Sequence, residues 1–240
     1  MLLTLKALLI SGALLTQGDL PLQDRAIMIL GQDTFKATQD TDYHRAVELT
    51  SKSSYVDLIK DDSELAAQLL QEACSLGYGR ACWYYAFKTE DEKDILHAKE
   101  VLVKSCFAGE TQQNGESCTF LGIMASQEYL DIEQSERELY ERACRLNDGW
   151  GCYRLAYDYI ADKDMEQAKK VGEKALDLLT KSCENGNASG CYFAGSIYSE
   201  PLTPNWLKDS DNKAQYYYDK GCRLGDGDSC ENANTYDEGE

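Results

Sequence analysis

The chain has 240 residues and a formal net charge of −18, with acidic residues spread along its length. Such a surface repels nucleic-acid phosphates and anionic membranes, so the composition argues against both as partners and favours a protein or peptide, with basic ones suited best. Solubility alone also accounts for this charge.

Residues 1–18 are predicted to be a secretory signal peptide. Lys6 precedes the apolar run Ala7 to Leu15, and small residues stand at a cleavage site ending at Gly18. The run is too short for a membrane span, although an uncleaved anchor is the alternative. No later stretch is long or apolar enough to cross a membrane. The expected location is the periplasm or the extracellular space.

Residues 19–61 contain no cysteine. The stretch YHRAVELTSKSSYVDLIK within them is partly helical in its hydrophobic pattern. This segment is therefore predicted to form an N-terminal cap or a degenerate repeat in front of the regular part of the chain.

The remaining residues, 62–240, hold all ten cysteines, and these fall into five pairs. Four pairs are eight residues apart, and the second pair is the same unit with four extra residues. The first cysteines recur at intervals of 32, 38, 39 and 39 residues, which indicates a repeat protein. The pairs are Cys74 with Cys82, Cys106 with Cys118, Cys144 with Cys152, Cys183 with Cys191, and Cys222 with Cys230.

Each unit predicts two helices. Apart from Glu136, small or apolar residues stand eight, five, four and one positions before the first cysteine, which is the spacing of one helix face. A glycine or asparagine three residues after it ends this helix, and in the first four units an apolar string after the second cysteine starts another. The fifth unit continues with ENANTYDEGE, so its second helix is predicted to be short and to form a polar cap. The sequence therefore predicts an all-α fold, a right-handed α/α solenoid of about five helix-turn-helix repeats. The predicted repeats are 62–94, 95–131, 134–165, 172–203 and 209–240.

A disulfide within each hairpin is the simplest pairing. The first cysteine is expected in the last turn of one helix and the second in the first turn of its antiparallel partner, which brings the two Cα atoms within disulfide range. The alternative is ten buried thiols acting as small hydrophobic residues, but this does not explain why every cysteine belongs to a spaced pair. Disulfides imply an oxidising compartment.

No metal or cofactor is predicted. The chain has no C-x-x-C motif, and its two histidines, His44 and His97, have no ligand-like neighbours in sequence. Either histidine is interpreted as an ordinary surface or packing residue.

The motif AAQLLQEACSLGYGRACWYYA, echoed in LYERACRLNDGWGCYRLAYDY and LLTKSCENGNASGCYFAGSIY, resembles the Sel-one-like repeat. Paired cysteines eight apart are similar to those of the secreted bacterial Hcp-type subgroup, and the resemblance covers residues 62–240. It implies an adaptor or scaffold rather than an enzyme. It also implies two alternatives: weak binding or hydrolysis of β-lactams, as described for some Hcp-type members, and a role like that of the cytochrome c oxidase assembly factor of the mitochondrial intermembrane space.

The β-lactam alternative has one sequence motif to test. Residues 210–213, Ser-Asp-Asn-Lys, fit both S-x-x-K and S-D-N, but no K-T-G accompanies them. The motif also stands where a helix of the last repeat begins, so Asp209 or Ser210 is interpreted as a helix N-cap. No catalytic residue is predicted.

The protein is expected to be a monomer that binds its partner through a concave surface. The first helices of the hairpins are expected to line that surface, as in other helical solenoids. The candidate partner-binding residues there are Glu100, Val103, Glu138, Glu141, Thr180 and Tyr216.

Overall fold

A computed structural model describes the backbone of residues 22–126, 130–199 and 210–237, and the side chains of residues 41–126, 130–199 and 212–233. The chain divides into two compact units, residues 1–42 and residues 43–240. In the first unit the described residues, 22–42, are helical. The predicted signal peptide and the predicted cap at Asp209 lie outside the described residues.

The described part of the chain consists of eleven helices and contains no strand. Helix α1 is followed by five pairs of consecutive helices, which confirms the predicted all-helical solenoid. Within the described residues, no helix combines the length and hydrophobicity that membrane crossing requires. The helices are α1 Leu22–Lys60, α2 Ser63–Ser75, α3 Gly79–Thr89, α4 Glu92–Phe107, α5 Gln112–Ala125, α6 Glu136–Arg145, α7 Gly149–Ala161, α8 Met165–Glu184, α9 Ala188–Ser199, α10 Ser210–Arg223 and α11 Gly227–Asp237.

The turns within the hairpins follow from the residue three positions after the first cysteine. Gly77, Gly186 and Gly225 have φ values of 82°, 88° and 90°, and Asn147 has a φ of 63°. This left-handed conformation ends a helix with little strain for glycine and is tolerated by asparagine.

The longer turn of the second hairpin ends in a different way. Thr111 stands just before α5 and forms a capping box with Asn114. The Thr111 hydroxyl accepts from the Asn114 backbone amide at 3.4 Å, and the Asn114 side chain accepts from the Thr111 amide at 3.0 Å. These bonds satisfy amides that the first turn of a helix leaves without partners.

Each hairpin contains one disulfide, and the pairing is the one that the sequence favours. The Cα atoms of the bonded cysteines lie 4.4–4.7 Å apart, and none of the ten cysteines is free. Every hairpin is therefore clamped at its turn. The bonds join Cys74 to Cys82, Cys106 to Cys118, Cys144 to Cys152, Cys183 to Cys191, and Cys222 to Cys230.

The position of the second cysteine in its helix differs in one hairpin from the expectation. It is the fourth helical residue, and so within the first turn, at Cys82, Cys152, Cys191 and Cys230. Cys118 is instead the seventh residue of α5, because this helix begins at Gln112 and takes up part of the four-residue insertion. Cys118 therefore lies in the second turn, yet its Cα still lies 4.7 Å from that of Cys106. The second cysteine of each of the five pairs is buried.

Neighbouring hairpins stack through contacts between a glycine and a tyrosine. A Cβ added at Gly122 of α5 would lie 2.5 Å from the Tyr140 ring of α6, and one at Gly195 of α9 would lie 2.7 Å from the Tyr218 ring of α10. Tyr140 and Tyr218 are both buried. A tyrosine on the first helix of one hairpin thus fills the space that a glycine leaves on the second helix of the preceding one.

Helix α1 is a single helix through the segment that the sequence predicted to be a cap or degenerate repeat. From Tyr43 onward it belongs to the second unit and packs against the hairpins. Arg45 pairs with Glu72 of α2, and Lys88 of α3 pairs with Asp57 at 2.7 Å. The Gly227 amide of α11 donates to the Ser54 hydroxyl at 3.0 Å. Residues 43–60 therefore contact both the first and the last hairpin.

Candidate functional site

The second helices of the hairpins face one another, and Arg80 of α3 lies among them. Its guanidinium carbon lies 5.4 Å from the ring centre of Tyr84, 5.7 Å from that of Phe120 and 5.3 Å from that of Phe193. These rings belong to the first, second and fourth hairpins. We call the surface that the second helices form around Arg80 the inner surface. It brings residues from distant repeats into contact.

Acidic and phenolic groups surround Arg80. Its Nη1 lies 3.6 Å from Oε1 of Glu116, which also accepts a hydrogen bond from the Tyr78 hydroxyl at 2.8 Å. Tyr43 of α1 donates to the other oxygen of the same carboxylate at 3.4 Å. Glu116 raises the pKa of Tyr43 by its negative charge, with burial adding to the effect, so this phenol stays protonated and remains a donor. The Arg80–Glu116 pair therefore links α1 to the first two hairpins.

Asp148 is the buried carboxylate at the start of α7. It accepts from the Thr119 hydroxyl at 2.6 Å and from the Gly151 amide at 2.7 Å, so it caps the helix and joins the second and third hairpins. Burial raises its pKa to about 6, although the hydrogen bond from Thr119 opposes this. The carboxyl of Asp228 at the start of α11 also has a pKa raised by burial to about 6. Burial thus shifts the pKa of both groups on the inner surface upward, toward neutral pH.

One sequence position supplies much of this surface. It lies two residues before the second cysteine of each pair, next to the small residue that allows the helices to approach. Sequence reasoning missed this position because its residue types differ between repeats and reveal no common pattern. In four of the five repeats, the signal that could have identified it is a large or charged residue near the beginning of the second helix. The five residues are Arg80, Glu116, Trp150, Ser189 and Asp228.

Cavities lie along the surface between α1 and the hairpins in the described part of the chain. One, of about 50 Å³, lies beside Arg80 and is walled by Trp150 and Phe193, whose stacked rings have centres 4.2 Å apart. A second, of about 320 Å³, lies between α1, α3 and α11. A third, of about 440 Å³, is lined by His44 and Leu224 among others. The last two are large enough to receive side chains of another molecule.

The sequence profile of the Sel1 repeat matches residues 56–78, 137–148, 151–187 and 188–226. These segments contain the cysteine-bearing turns of the first, third, fourth and fifth hairpins in whole or in part. The chain is a Sel1-repeat protein. The match supports the predicted family, whereas nothing in it distinguishes the Hcp-type subgroup.

Two curated proteins are similar in sequence to this chain. Cytochrome c oxidase assembly factor 7A of Xenopus laevis is 27% identical over 174 residues, which cover 68% of this Sel1-repeat protein and 71% of the relative. The cytochrome c oxidase assembly factor 7 homolog of Drosophila melanogaster is 29% identical over 107 residues, which cover 41% of the chain and 38% of that relative.

Solved structures give distant matches. A protective antigen of uropathogenic Escherichia coli strains that displays an SLR fold matches with a TM-score of 0.39 and 19% identity, over 77% of this chain and 40% of the antigen. A Sel1 repeat protein from Oxalobacter formigenes matches with a TM-score of 0.39 and 14% identity, over 85% of each chain.

The six candidate partner-binding residues of the sequence lie away from the inner surface of the Sel1 repeats. They belong to the first helices, α4, α6, α8 and α10, whereas the second helices are the ones that meet around Arg80. That these six residues bind a partner stays a prediction. Five of the six are exposed and Thr180 is half-buried; Glu138 also serves the capping box of α6, and hydrogen bonds from Ser135 lower its pKa.

The two histidines of this Sel1-repeat protein have different surroundings. A nitrogen of His97 lies within 4.8 Å of the sulfur atoms of Cys74 and Cys82, a grouping that can hold a metal ion in other proteins. Both sulfur atoms are joined in a disulfide here, so neither is available as a thiolate ligand. His44 lies at the rim of the 440 Å³ cavity. The Ser210 side chain of the β-lactam motif lies outside the described side chains.

Proposed function

We propose that this Sel1-repeat protein is a non-enzymatic scaffold that binds a protein or peptide partner on its inner surface. One observation carries the proposal: Arg80 and the aromatic side chains of three hairpins converge there, beside cavities that remain open. Arg80, Phe120 and Phe193 are themselves buried, so they shape this surface from beneath, and the open cavities beside them offer the space for side chains of a partner. The exposed acids on the first helices, by contrast, resemble an ordinary solvated helix face.

The compartment is proposed to be the periplasm or the extracellular space. Five disulfides are typical of oxidising compartments, because cytosolic thiols are kept reduced. The apolar run at residues 7–15 supports secretion rather than retention in another oxidising compartment.

Binding to the inner surface predicts which charge reversals leave the affinity unchanged. The oxidised full chain is used to capture a partner, and the purified partner is then titrated by calorimetry. The double variant Glu100→Lys with Glu141→Lys, which reverses two exposed charges of the first helices, is expected to bind within about twofold of the unmodified protein, since surface charges far from a contact contribute little. Filling the 440 Å³ cavity with Ser51→Trp is expected to weaken binding at least about tenfold, because it closes a cavity that borders the inner surface and shares Asn187 with the cavity beside Arg80.

Two outcomes would contradict this proposal. Loss of binding in the double charge-reversal variant, with Ser51→Trp binding normally, would place the partner on the first helices. Covalent labelling by a penicillin that is lost in Ser210→Ala, or turnover of a substrate by the purified protein, would favour the enzymatic alternative.

A second candidate function is assembly of a respiratory complex. It is supported by the two curated relatives, which are named cytochrome c oxidase assembly factors, and by the disulfides, which suit the mitochondrial intermembrane space as well as the periplasm.

Location separates the two candidates. The assembly role predicts that the full chain is imported into isolated mitochondria, becomes protected from added protease and keeps its N-terminal residues. The secreted scaffold predicts instead that the chain is exported and cut near residue 18, which N-terminal sequencing of the mature protein detects. Export with cleavage would exclude the assembly role.

A further inference from the structure

The cavity between α1, α3 and α11 has an apolar floor and an apolar rim. Its floor contains Ala66 and Leu70, which are 1% and 6% exposed. Its rim contains Phe87 and Leu58, which are 71% and 42% exposed. Two exposed apolar side chains at the mouth of one cavity form a small apolar patch, which is the kind of surface that binding sites use. We call this cavity the α1–α3 pocket.

Asp228 adds a carboxylate to one side of the α1–α3 pocket. Among the described residues, its carboxylate forms no side-chain hydrogen bond or ion pair and accepts only from its own backbone amide. The second carboxylate of the pocket, that of Asp57, is already paired with Lys88 through both oxygens, at 2.8 and 2.7 Å. Asp228 is therefore the acceptor that the pocket leaves for an incoming group.

The wall between Asp228 and the rim is aromatic. Tyr84 of α3 lines the α1–α3 pocket together with Phe87, one helical turn further along. The faces of aromatic rings attract cations, and the methylene groups of long basic side chains pack well on apolar walls. The pocket thus has an aromatic and apolar wall that leads from Phe87 to a carboxylate, while hydroxyl groups and the paired Asp57 and Lys88 form its other side.

We propose that the α1–α3 pocket is a docking site for one basic side chain, an arginine or a lysine, of a protein partner. Its methylene groups pack against Phe87 and Leu58, and its charged end reaches the Asp228 carboxylate. The proposal rests on the scaffold function proposed above and names the chemistry of the partner. A basic side chain suits both the net charge of −18 of the whole chain and the single carboxylate of Asp228.

Other occupants fit the α1–α3 pocket less well. An acidic side chain would be repelled by Asp228 and by the acidic surface of the whole chain. A purely apolar side chain would remove water from Asp228 without replacing its hydrogen bonds, which is costly for a carboxylate. A basic side chain satisfies the carboxylate and covers the apolar walls at once.

A short peptide probe tests the α1–α3 pocket without knowledge of the partner. Acetyl-Leu-Arg-Leu-amide is titrated into the oxidised full chain and followed by amide NMR at pH 7. Its uncharged analogue with citrulline in place of arginine is the control, because it has nearly the same shape. We expect shifts at Leu58, Tyr84, Phe87 and Asp228, and binding of the arginine peptide about tenfold tighter than that of the citrulline peptide, as for a hydrogen bond between charged groups.

Variants with matched controls locate the contact. Asp228→Asn is expected to abolish the preference for arginine over citrulline, whereas Glu133→Gln, at an exposed acid without a partner among the described residues, is expected to keep it. Phe87→Ala is expected to weaken the arginine peptide about threefold, as for an exposed cation–π contact. Leu96→Ala, at another exposed apolar residue, is its control. Phe87 is exposed, so this variant stays informative if Asp228→Asn unfolds the protein.

The pH dependence provides a separate readout. Burial first, and then the charges of Asp226 and Glu231, raise the pKa of Asp228 to about 6, while Arg80 opposes them. Tyr84, Lys88 and Asp57 also face the pocket, as does Tyr192, whose phenol interacts with Asp228. Arginine stays protonated throughout, so its peptide should bind more tightly as Asp228 loses its proton between about pH 5 and pH 7. The Asp228→Asn variant should show no such increase.

Each result decides between the two proposals. Equal binding of the arginine and citrulline peptides, or shifts confined to other residues, would overturn the pocket. If a purified partner still binds Asp228→Asn and Phe87→Ala with unchanged affinity, the scaffold function is supported, and the proposal that the α1–α3 pocket docks a basic side chain is wrong. If the arginine peptide binds as expected but no partner is captured, the α1–α3 pocket does bind a basic side chain, and the proposed scaffold function is wrong.

Discussion

Reduction of the five disulfides is expected to unfold the repeat array at room temperature. Each closes a loop of about nine to thirteen residues, and the chain-entropy relation gives about 2.5–3 kcal/mol for a loop of that size. Together the five contributions are comparable to the whole free energy of unfolding of a domain, about 5–15 kcal/mol. Apart from α8, which has 20 residues, the hairpin helices are short, and short helices are marginal in water when isolated. Far-ultraviolet circular dichroism should show most of the helical signal lost on reduction.

Removing one disulfide at a time measures how much each contributes to the free energy of unfolding. Replacing Cys183 and Cys191 by alanine opens the fourth hairpin, which has neighbours on both sides, and replacing Cys222 and Cys230 opens the last hairpin. We expect a loss of about 2.5 kcal/mol in the free energy of unfolding from the first double variant, and less from the second because fraying at the end of an array disturbs only one interface. Urea denaturation measures both. A reduced protein that keeps its helical signal and its unfolding midpoint would contradict the prediction that the disulfides hold the hairpins together.

The hairpins and their disulfides could be predicted because they are local. The eight-residue spacing of Cys74 and Cys82 and the glycine at position 77 fix one turn, and the same pattern recurs along the chain. Such features depend on residues close in sequence, which a single repeat displays completely. Where the spacing changes, at Cys118, the pairing is unchanged but the start of the helix moves. The Sel1-repeat family follows from the same motif.

The inner surface could not be predicted in this way because it depends on how repeats turn relative to one another. Small rotations between hairpins accumulate until Arg80 of the first approaches Phe193 of the fourth, which lies 113 positions later in sequence. The pattern of one repeat does not record these rotations. Nor does it indicate that residues 43–60 of α1 contact the last hairpin, since the hydrogen bond from Gly227 to Ser54 joins residues 173 positions apart.

Replacement of Gly227 by alanine is expected to detach the last hairpin from α1. A Cβ at this position would lie 2.3 Å from the backbone oxygen of Ser54 and 2.6 Å from the backbone nitrogen of Tyr55. Backbone atoms of a packed helix cannot move aside as a side-chain end can, so the two helices must separate. We expect a loss of about 1–3 kcal/mol in the free energy of unfolding, together with faster amide hydrogen exchange in residues 43–60 and in α11.

The repeats themselves supply the controls for this variant. The equivalent position of the fourth hairpin is Ala188, so the start of a second helix accepts a Cβ there. Gly79→Ala, at the same position of the first hairpin, meets first the methyl end of Leu102, which can rotate, and should cost less than Gly227→Ala. Ser54→Ala removes the hydrogen bond from Gly227 without a clash and should cost about 1 kcal/mol. Equal stability of Gly227→Ala and the unmodified protein, with unchanged exchange in residues 43–60, would show that α1 does not hold the last hairpin.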